Sequence, residues 1–255
     1  MRLKHKTALV TGAARGLGAA ICRAFAAEGA QVVVTDVDET AGAALAAELG
    51  GIWQRLDVGD EDNWIAVMAQ LRERGVALDI LVNNAGVIGI GDGAPQDPEH
   101  GDLASWHAVH RINLDGTFLG CKYAIRAMRE RGRGSIINMS SRAGLIGVPA
   151  AAAYASSKAA VRNHTKTVAL YCAQQGLDIR CNSIHPGSIM TPLWDPVLGE
   201  GSAREAAITA FTAGTPMARF GTPEEITPLV VLLASDESTY TTGAEFHIDG
   251  GALAG

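Results

Sequence analysis

Short runs of β-branched and other apolar residues alternate along this chain with longer, alanine-rich segments whose apolar positions recur at helical spacing. TALV (7–10) leads into a glycine loop and a helical segment, QVVVTD (31–36) precedes DETAGAALAAELG, and IWQRLDV (52–58) precedes DEDNWIAVMAQLRERG. LDILVNNAG (78–86) comes before a long helical pattern from about Leu103 to Glu130. GSIINMSS (134–141), LDIRCNSIHPG (177–187) and AEFHIDGG (244–251) supply three further strands. Strands alternating with helices predict crossover units and a parallel sheet covered on both faces. Right-handed crossovers leave few arrangements for seven such strands, and the doubly wound α/β sheet is the expected one.

One region departs from the alternation: TPLWDPVLGEGSAREAAITAFTAGTPMARFG (191–221), with one helix expected at Ala203–Phe211. An excursion between a strand and the final helix is a candidate substrate lid, placed at about 190–218. A length of 255 residues lies near the upper limit for one hydrophobic core, so a single domain over 1–255 is expected.

Composition narrows the class. Apolar content of 47% with 30 glycines and 9 prolines predicts a compact globular chain. A net charge of −6, a pI near 5.6 and no basic stripe speak against nucleic acid as a partner. MRLKHK is a short charged run, and the apolar residues after it end at Thr11 and Gly12, far short of a signal-peptide core. The longest apolar helix candidate, PLVVLLA (228–234), falls well below the roughly 18 residues needed to span a bilayer, so no membrane partner is expected. Cys22, Cys121, Cys172 and Cys181 show no CxxC spacing and read as buried free thiols in a reducing cytoplasm.

Candidate chemistry begins at VTGAARGLGAAICRAFAAEGA (10–30), between the first strand and the first helix. Gly12, Gly16 and Gly18 let the backbone turn tightly and bring amides and a helix N-terminus against an anion, as a phosphate cradle requires. Asp36 ends the second strand, where a carboxylate can accept hydrogen bonds from a ribose diol and repel a 2′-phosphate. Arg15 pulls the other way, since its guanidinium could hold that phosphate. The carboxylate acts at contact range in low dielectric, so NAD is expected over NADP.

AAAYASSKAA (151–160) sets Tyr154 and Lys158 one turn apart on one helical face. A free phenol ionises near ~10, too high for proton exchange around neutrality. Bringing it to neutrality takes roughly 4 kcal/mol, about what one ammonium at ~4 Å supplies at an effective dielectric of ~20. The expectation is that Lys158 acidifies Tyr154.

TGAARGLG, NNAG (83–86), Asn113 in INLDGTFLG, Ser141 in GSIINMSSRAG, YASSK and HPGSIMTP, in that order, make the chain resemble the short-chain dehydrogenase/reductase family from about residue 6 to residue 251. Within it, IRCNSIHPGSIMTPL, TPMARFGTPEEI and LASDESTYTTGAEFHIDGG are most similar to bacterial NAD(P)-dependent secondary-alcohol and hydroxysteroid dehydrogenases. The resemblance implies a Rossmann-type domain, NAD as cofactor and a catalytic set of Asn113, Ser141, Tyr154 and Lys158. Tyr154 would be the general acid/base, Lys158 would also hold the nicotinamide ribose, and Ser141 would hydrogen-bond the substrate oxygen. Ser140 is a rival to Ser141, and the sequence leaves the two open. Asn113 matches the position where the family's helix is distorted to hold a proton-relay water.

For the cofactor, the resemblance implies Gly12, Arg15, Gly16, Leu17 and Gly18 in the glycine loop and Asp36 at the ribose. It adds Asp57 and Val58 at the adenine, Asn84, Ala85 and Gly86 along the adenosine, and Pro186, Gly187, Ile189 and Thr191 at the carboxamide. The long helices at 103–130 and 153–174 resemble those that pair family members into homotetramers. Contacts from VIGIGDGAPQDPEHGDLASW (87–106) do not carry over.

His107 and His110 share a helical face without a third ligand nearby, so no metal is expected. The acidic DEDNW (60–64) reads as a helix N-terminal turn favoured by the macrodipole. Met190, Leu193, Trp194, Val197, Leu198, Phe211, Met217, Leu145, Ile146 and Val148 predict an apolar pocket wall, in part plain core. The expected reaction is oxidation of a hydrophobic cyclic, aromatic or steroid-like secondary alcohol to its ketone with NAD, reversible with NADH. A 3-oxoacyl-carrier-protein reductase shares the catalytic motifs, but its acidic partner calls for basic residues where the lid carries Asp195, Glu200 and Glu205 against Arg204. A non-catalytic dinucleotide-binding scaffold is the third alternative; both Tyr154 and Lys158 speak against it.

Overall fold

Each expected apolar run contains a strand: β1 (Thr7–Thr11), β2 (Gln31–Asp36), β3 (Ile52–Arg55), β4 (Ile80–Asn83), β5 (Arg133–Met139), β6 (Asp178–Pro186) and β7 (Glu245–Ile248). The structure, a computed structural model, describes residues 1–89 and 95–254. The strands form one parallel sheet in the order β3-β2-β1-β4-β5-β6-β7, a doubly wound Rossmann arrangement. The chain starts at the centre, runs out to β3 and returns to β4 beside β1. That reversal opens a crevice beyond the carboxyl ends of β1 and β4, where such sheets take ligands.

Alternation along the strands feeds two cores. Ala8, Val10, Val32, Val34, Ile80 and Val82 face one side, with Ile21 and Phe25 of α1 (Gly16–Ala27), Leu45 of α2 (Glu39–Leu49) and Ile226 and Val230 of α9 (Pro223–Ala234). Leu9, Val33 and Leu81 face the other, with Trp64 and Leu71 of α3 (Glu61–Glu73), Leu119 and Met128 of α5 (Gly116–Met128) and Val168 and Cys172 of α6 (Ala152–Gln174). Period-two strands sandwiched between helices explain why the strands read as continuous apolar runs. Helix starts are set locally: Asp60 caps α3 by accepting from the amides of Asp62 and Asn63, which accounts for DEDNW.

Three boundaries differ from the sequence pattern. β3 ends at Arg55 rather than 58, because the Asp57 carboxylate accepts from the Gly59 amide and turns the chain. The long helix is α4 (Leu103–His110), a π-helical turn at Arg111–Asp115, then α5. The candidate lid holds a 3₁₀ turn at Pro192–Trp194, a short α7 (Asp195–Leu198) and α8 (Gly201–Thr212). Of the 87–106 stretch, residues 90–94 lie outside the described residues.

Candidate active site

The floor of the crevice is the pair of loops after β1 and β4. Gly12 has φ +61° and a Cβ there would stand 2.7 Å from the Ala85 Cα, so only glycine lets the loops touch. A Cβ at Gly18 would fall 2.2 Å from the Gly12 carbonyl and 2.6 Å from the Asn84 side-chain nitrogen. Thr11 Oγ1 accepts from the amides of Asn84 and Ala85, both at 3.0 Å. Asn84 Nδ2 donates back to the Thr11 and Gly12 carbonyls at 2.9 and 3.0 Å. Asn84 therefore supports the loop with its side chain, a task its sequence position does not reveal, while Leu17 packs on the α1 core.

The fit to a dinucleotide can be tested on these groups. The α1 N-terminus carries no side-chain cap, so its first amides face the crevice loop without partners from the cap residue. An uncapped twelve-residue helix behind a glycine cradle suits a pyrophosphate. The Asp36 carboxylate accepts from the Ala14, Val37 and Asp38 amides at 2.9, 2.8 and 3.0 Å, which ties the ribose corner to the glycine loop. Arg15 is turned away to Asp38, Nη2 to Oδ2 at 2.7 Å. Asp57 accepts twice from Arg111 Nη1 at 3.1 Å, a partner 54 residues along the chain that the sequence reading missed. Val58 is buried beside it. At the other side, Gly187 donates its amide to Ile248, Ile189 is buried and bridges to Gly221, and the Thr191 side chain stands 3.3 Å from where a Gly16 Cβ would be. Pro186 closes β6 at the head of this loop. The cofactor candidates thus fall on the loops that follow β1, β2, β3, β4 and β6 and in the turn that ends β6.

The four catalytic candidates meet beyond β4 and β5. Asn113 lies at the centre of the π-helical turn and is 1% exposed. Its Oδ1 accepts from the Val87 amide at 2.8 Å, and its Nδ2 donates to the Val87 carbonyl at 2.9 Å and to Ser157 Oγ at 3.0 Å. A Cβ built on Gly86 would stand 3.3 Å from Asn113 Oδ1 and 3.4 Å from Lys158 Nζ, which puts all three at one spot. Lys158 Nζ donates to the Met139 carbonyl at 2.8 Å and lies 5.8 Å from the centre of the Tyr154 ring. The two side chains share a face, as the i, i+4 spacing requires.

Ser140 and Ser141 part company here. Ser140 is buried and its hydroxyl donates to the Lys158 carbonyl at 2.8 Å, bracing α6. Ser141 is half-buried, its Oγ accepts from the Ala143 amide at 3.1 Å, and its side chain is the group that pulls the Tyr154 phenol down. Ser141 is the serine on the phenol.

One expectation reverses. Burial holds the Tyr154 phenol above its ordinary value, with only the Ser141 hydrogen bond pulling it down. Burial also pushes the Lys158 ammonium down to about 8. Desolvation disfavours both charged forms at once. Without its cofactor, the protein thus leaves the phenol above its ordinary value rather than below it.

The apolar wall is more open than core. Ile146, Leu193 and Phe211 are exposed, Trp194 stacks edge-on with Phe211 and Phe220, and Leu198 alone of the wall is fully buried. Met217 lies elsewhere, against Gly250 beyond β7. Arg204 pairs with Asp195 at 3.1 Å. His110 has its ring nitrogens against the Trp106 carbonyl and Ser156 Oγ, at 2.9 and 3.2 Å.

Comparison with known proteins agrees with this fold. A family model described as enoyl-(acyl carrier protein) reductase matches residues 12–252. The 3-beta-hydroxysteroid dehydrogenase of Comamonas testosteroni is 42% identical over 257 residues, covering 99% of this chain and 97% of that protein. The NADP-dependent (R)-specific alcohol dehydrogenase of Lentilactobacillus kefiri is 40% identical over 258 residues, covering 99% and 98%. A crystal structure of a short-chain type dehydrogenase/reductase from Mycobacterium marinum superposes with a TM-score of 0.89 at 34% identity, covering 99% of this chain and 97% of that one.

Proposed function

The chain belongs to the short-chain dehydrogenase/reductase family, and from that premise we propose the finer reading: it moves a hydride between NAD and a hydrophobic cyclic, aromatic or steroid-like secondary alcohol, giving the ketone. Its relatives make it an oxidoreductase of the secondary alcohol/ketone kind. The observation that carries the mechanism is the meeting of Ser141, Tyr154 and Lys158 beside Gly86 and Asn113. NAD, when bound, supplies the hydride acceptor and a positive charge at its nicotinamide.

Each residue then has a defined task. Tyr154 takes the hydroxyl proton of the alcohol, or returns it to the ketone oxygen. The Ser141 hydroxyl hydrogen-bonds that same oxygen and stabilises charge as it develops. Lys158, fixed by the Met139 carbonyl, holds the ribose and keeps a cation near the phenol. Asn113 clamps the Val87 backbone and so holds the π-helical turn in register with the Gly86 loop. Gly12, Gly16 and Gly18 seat the pyrophosphate, with Arg15 and Leu17 shaping the loop, while Asp36 receives the ribose hydroxyls.

NAD over NADP rests on charge. Asp36 and Asp38 both stand at the ribose corner, and Arg15 is already engaged with Asp38. A 2′-phosphate would meet two carboxylates there and no unpaired guanidinium from Arg15. The substrate class rests on the exposed apolar side chains of Ile146 after Ser141 and of Leu193 and Phe211 in the candidate lid, where Phe211 packs on Trp194. Four free cysteines fit a reducing cytoplasm, and exposed Leu103, Trp106, Phe118 and Leu170 on α4, α5 and α6 fit a homotetramer. Among the described residues no helix is long and apolar enough to cross a membrane.

The test is a panel of cycloalkanols, aryl alcohols and hydroxysteroids with NAD, followed by NADH absorbance. Turnover of the bulky apolar members is expected. Inactivity across the panel, with turnover of acidic sugars or acyl thioesters, would refute the substrate class. The family model's own description favours a second reading, an acyl-carrier-protein reductase. Against it, Arg204 is neutralised by Asp195 while Glu200 and Glu205 stay exposed, so the lid offers an acidic carrier no positive face. Saturable kinetics with an acyl carrier protein would favour that alternative.

A further inference from the structure

We propose that His185 is a positioning residue for Ser141, setting the height of the serine hydroxyl against Tyr154 through the Ser141 carbonyl. This rests on the catalytic assignment of Ser141 and Tyr154 and extends it to a residue on β6 that touches neither the phenol nor the glycine loop.

The geometry runs through three atoms. His185 is fully buried on β6, its Nδ1 lies 3.2 Å from the Ser141 carbonyl and its Nε2 lies 2.9 Å from Ser183 Oγ. A carbonyl only accepts, so Nδ1 carries the hydrogen. Nε2 of the neutral ring is then the acceptor, and the Ser183 hydroxyl donates to it. One tautomer satisfies both ends, and the ring cannot rotate without breaking both bonds.

What the ring holds matters because of where Ser141 sits. The Ser141 carbonyl also accepts from the Gly144 amide at 3.0 Å, and its Oγ accepts from Ala143 at 3.1 Å. Those two bonds lie inside the turn that Ser141 begins and move with it. The Ser140 amide, bonded to the Ile184 carbonyl at 2.8 Å, ties the chain to β6 one residue earlier. His185 is thus the tie from Ser141 itself to the rigid sheet. Loss of this tie lets the turn ride away from the phenol without unfolding it.

The surroundings keep the ring neutral. His247, its register partner on β7, meets it edge-on at 5.4 Å, with Glu245 beyond on β7 and Arg162 on α6. Glu245 is itself held by Arg162 and Lys166. Burial, the largest influence, lowers the His185 basicity.

A sequence signal for this role exists: the residue before Pro186 is a histidine with a serine two places earlier on the same strand face, an unusual polar pair for a central buried strand.

The experiment uses variants of the whole enzyme. His185→Gln keeps a polar end near Ser183 and loses the donor at the Nδ1 position; His185→Asn keeps that donor. For His185→Gln, kcat for alcohol oxidation should fall about tenfold, and NAD KM should change less than about twofold. Its pH–rate limb should move to higher pH, because the phenol loses part of the Ser141 hydrogen bond. His185→Asn should recover most of both. Ser183→Ala, which frees the far end of the ring, should shift the limb the same way by less, and it stands in if His185→Gln does not fold. An unmoved limb in folded His185→Gln or in Ser183→Ala, or equal losses in the Gln and Asn variants, would overturn the proposal. Full activity of Tyr154→Phe would instead sink the catalytic assignment, whatever His185 does.

Discussion

At the adenosine end of the crevice the polar side chains already have partners inside the protein: Thr11 and Asn84 with the glycine loop, Asp36 with three amides, Asp57 with Arg111, Arg15 with Asp38. At the proposed substrate end, Ile146, Leu193 and Phe211 are exposed, and Phe211 is held edge-on by Trp194. The first end is held by directional bonds, which on the proposed reading presents a dinucleotide with a preorganised site. The second is held by non-directional contacts, which can repack around ligands of different outline. Between them, the half-buried Tyr154 and the buried Lys158 are ionisable groups whose charged forms desolvation disfavours. The proposed chemistry falls where the rigid and the adaptable halves join.

The largest effect should come from the junction. Lys158→Met should lower kcat/KM by about a hundredfold, measured as NADH formation, because proton exchange loses its nearby cation. The same variant carries a pH test. Burial moves the Lys158 ammonium from 10.5 to about 8, so between these values the unfolded chain still binds a proton that the fold has shed. Stability contributed by this group therefore rises with pH across that window, by about 3 kcal/mol at most. Thermal melts should show Lys158→Met gaining on the unsubstituted enzyme at pH 7 and losing that advantage by pH 10. A pH-independent difference would contradict the burial argument.

Breaking the rigid end should cost less. Asp36→Ser should narrow the preference for NAD over NADP by about tenfold in kcat/KM, with little change in the alcohol KM. Unchanged cofactor discrimination would remove the carboxylate from its assigned role. The smallest effect belongs to the adaptable end: Phe211→Ala should raise KM about threefold for bulky apolar alcohols and leave small ones unaltered, since the ring is only partly buried. Equal changes for large and small alcohols would remove Phe211 from the pocket.

What could be read in advance follows the same division. The sheet was legible because strands covered by helices must be apolar on both faces, and TALV or QVVVTD cannot hide that pattern. The Tyr154–Lys158 pair was legible because one helical turn is a fixed distance. The π-helical turn at Arg111–Asp115 was not legible from periodicity, since one inserted residue barely disturbs an apolar stripe. Arg111 on Asp57 joins positions 54 apart, and Asn84 turns its amide to the loop it follows; both depend on tertiary approach. The reversal at Tyr154 has the same origin. Spacing places a cation, whereas desolvation depends on everything packed around it.

Turnover of Tyr154→Phe, measured together with NAD binding, tests most directly whether this phenol moves the proton. A proton-transferring phenol predicts a loss of about a thousandfold in kcat, with NAD affinity within a few-fold of the original. Retained kcat with unchanged NAD affinity would contradict it.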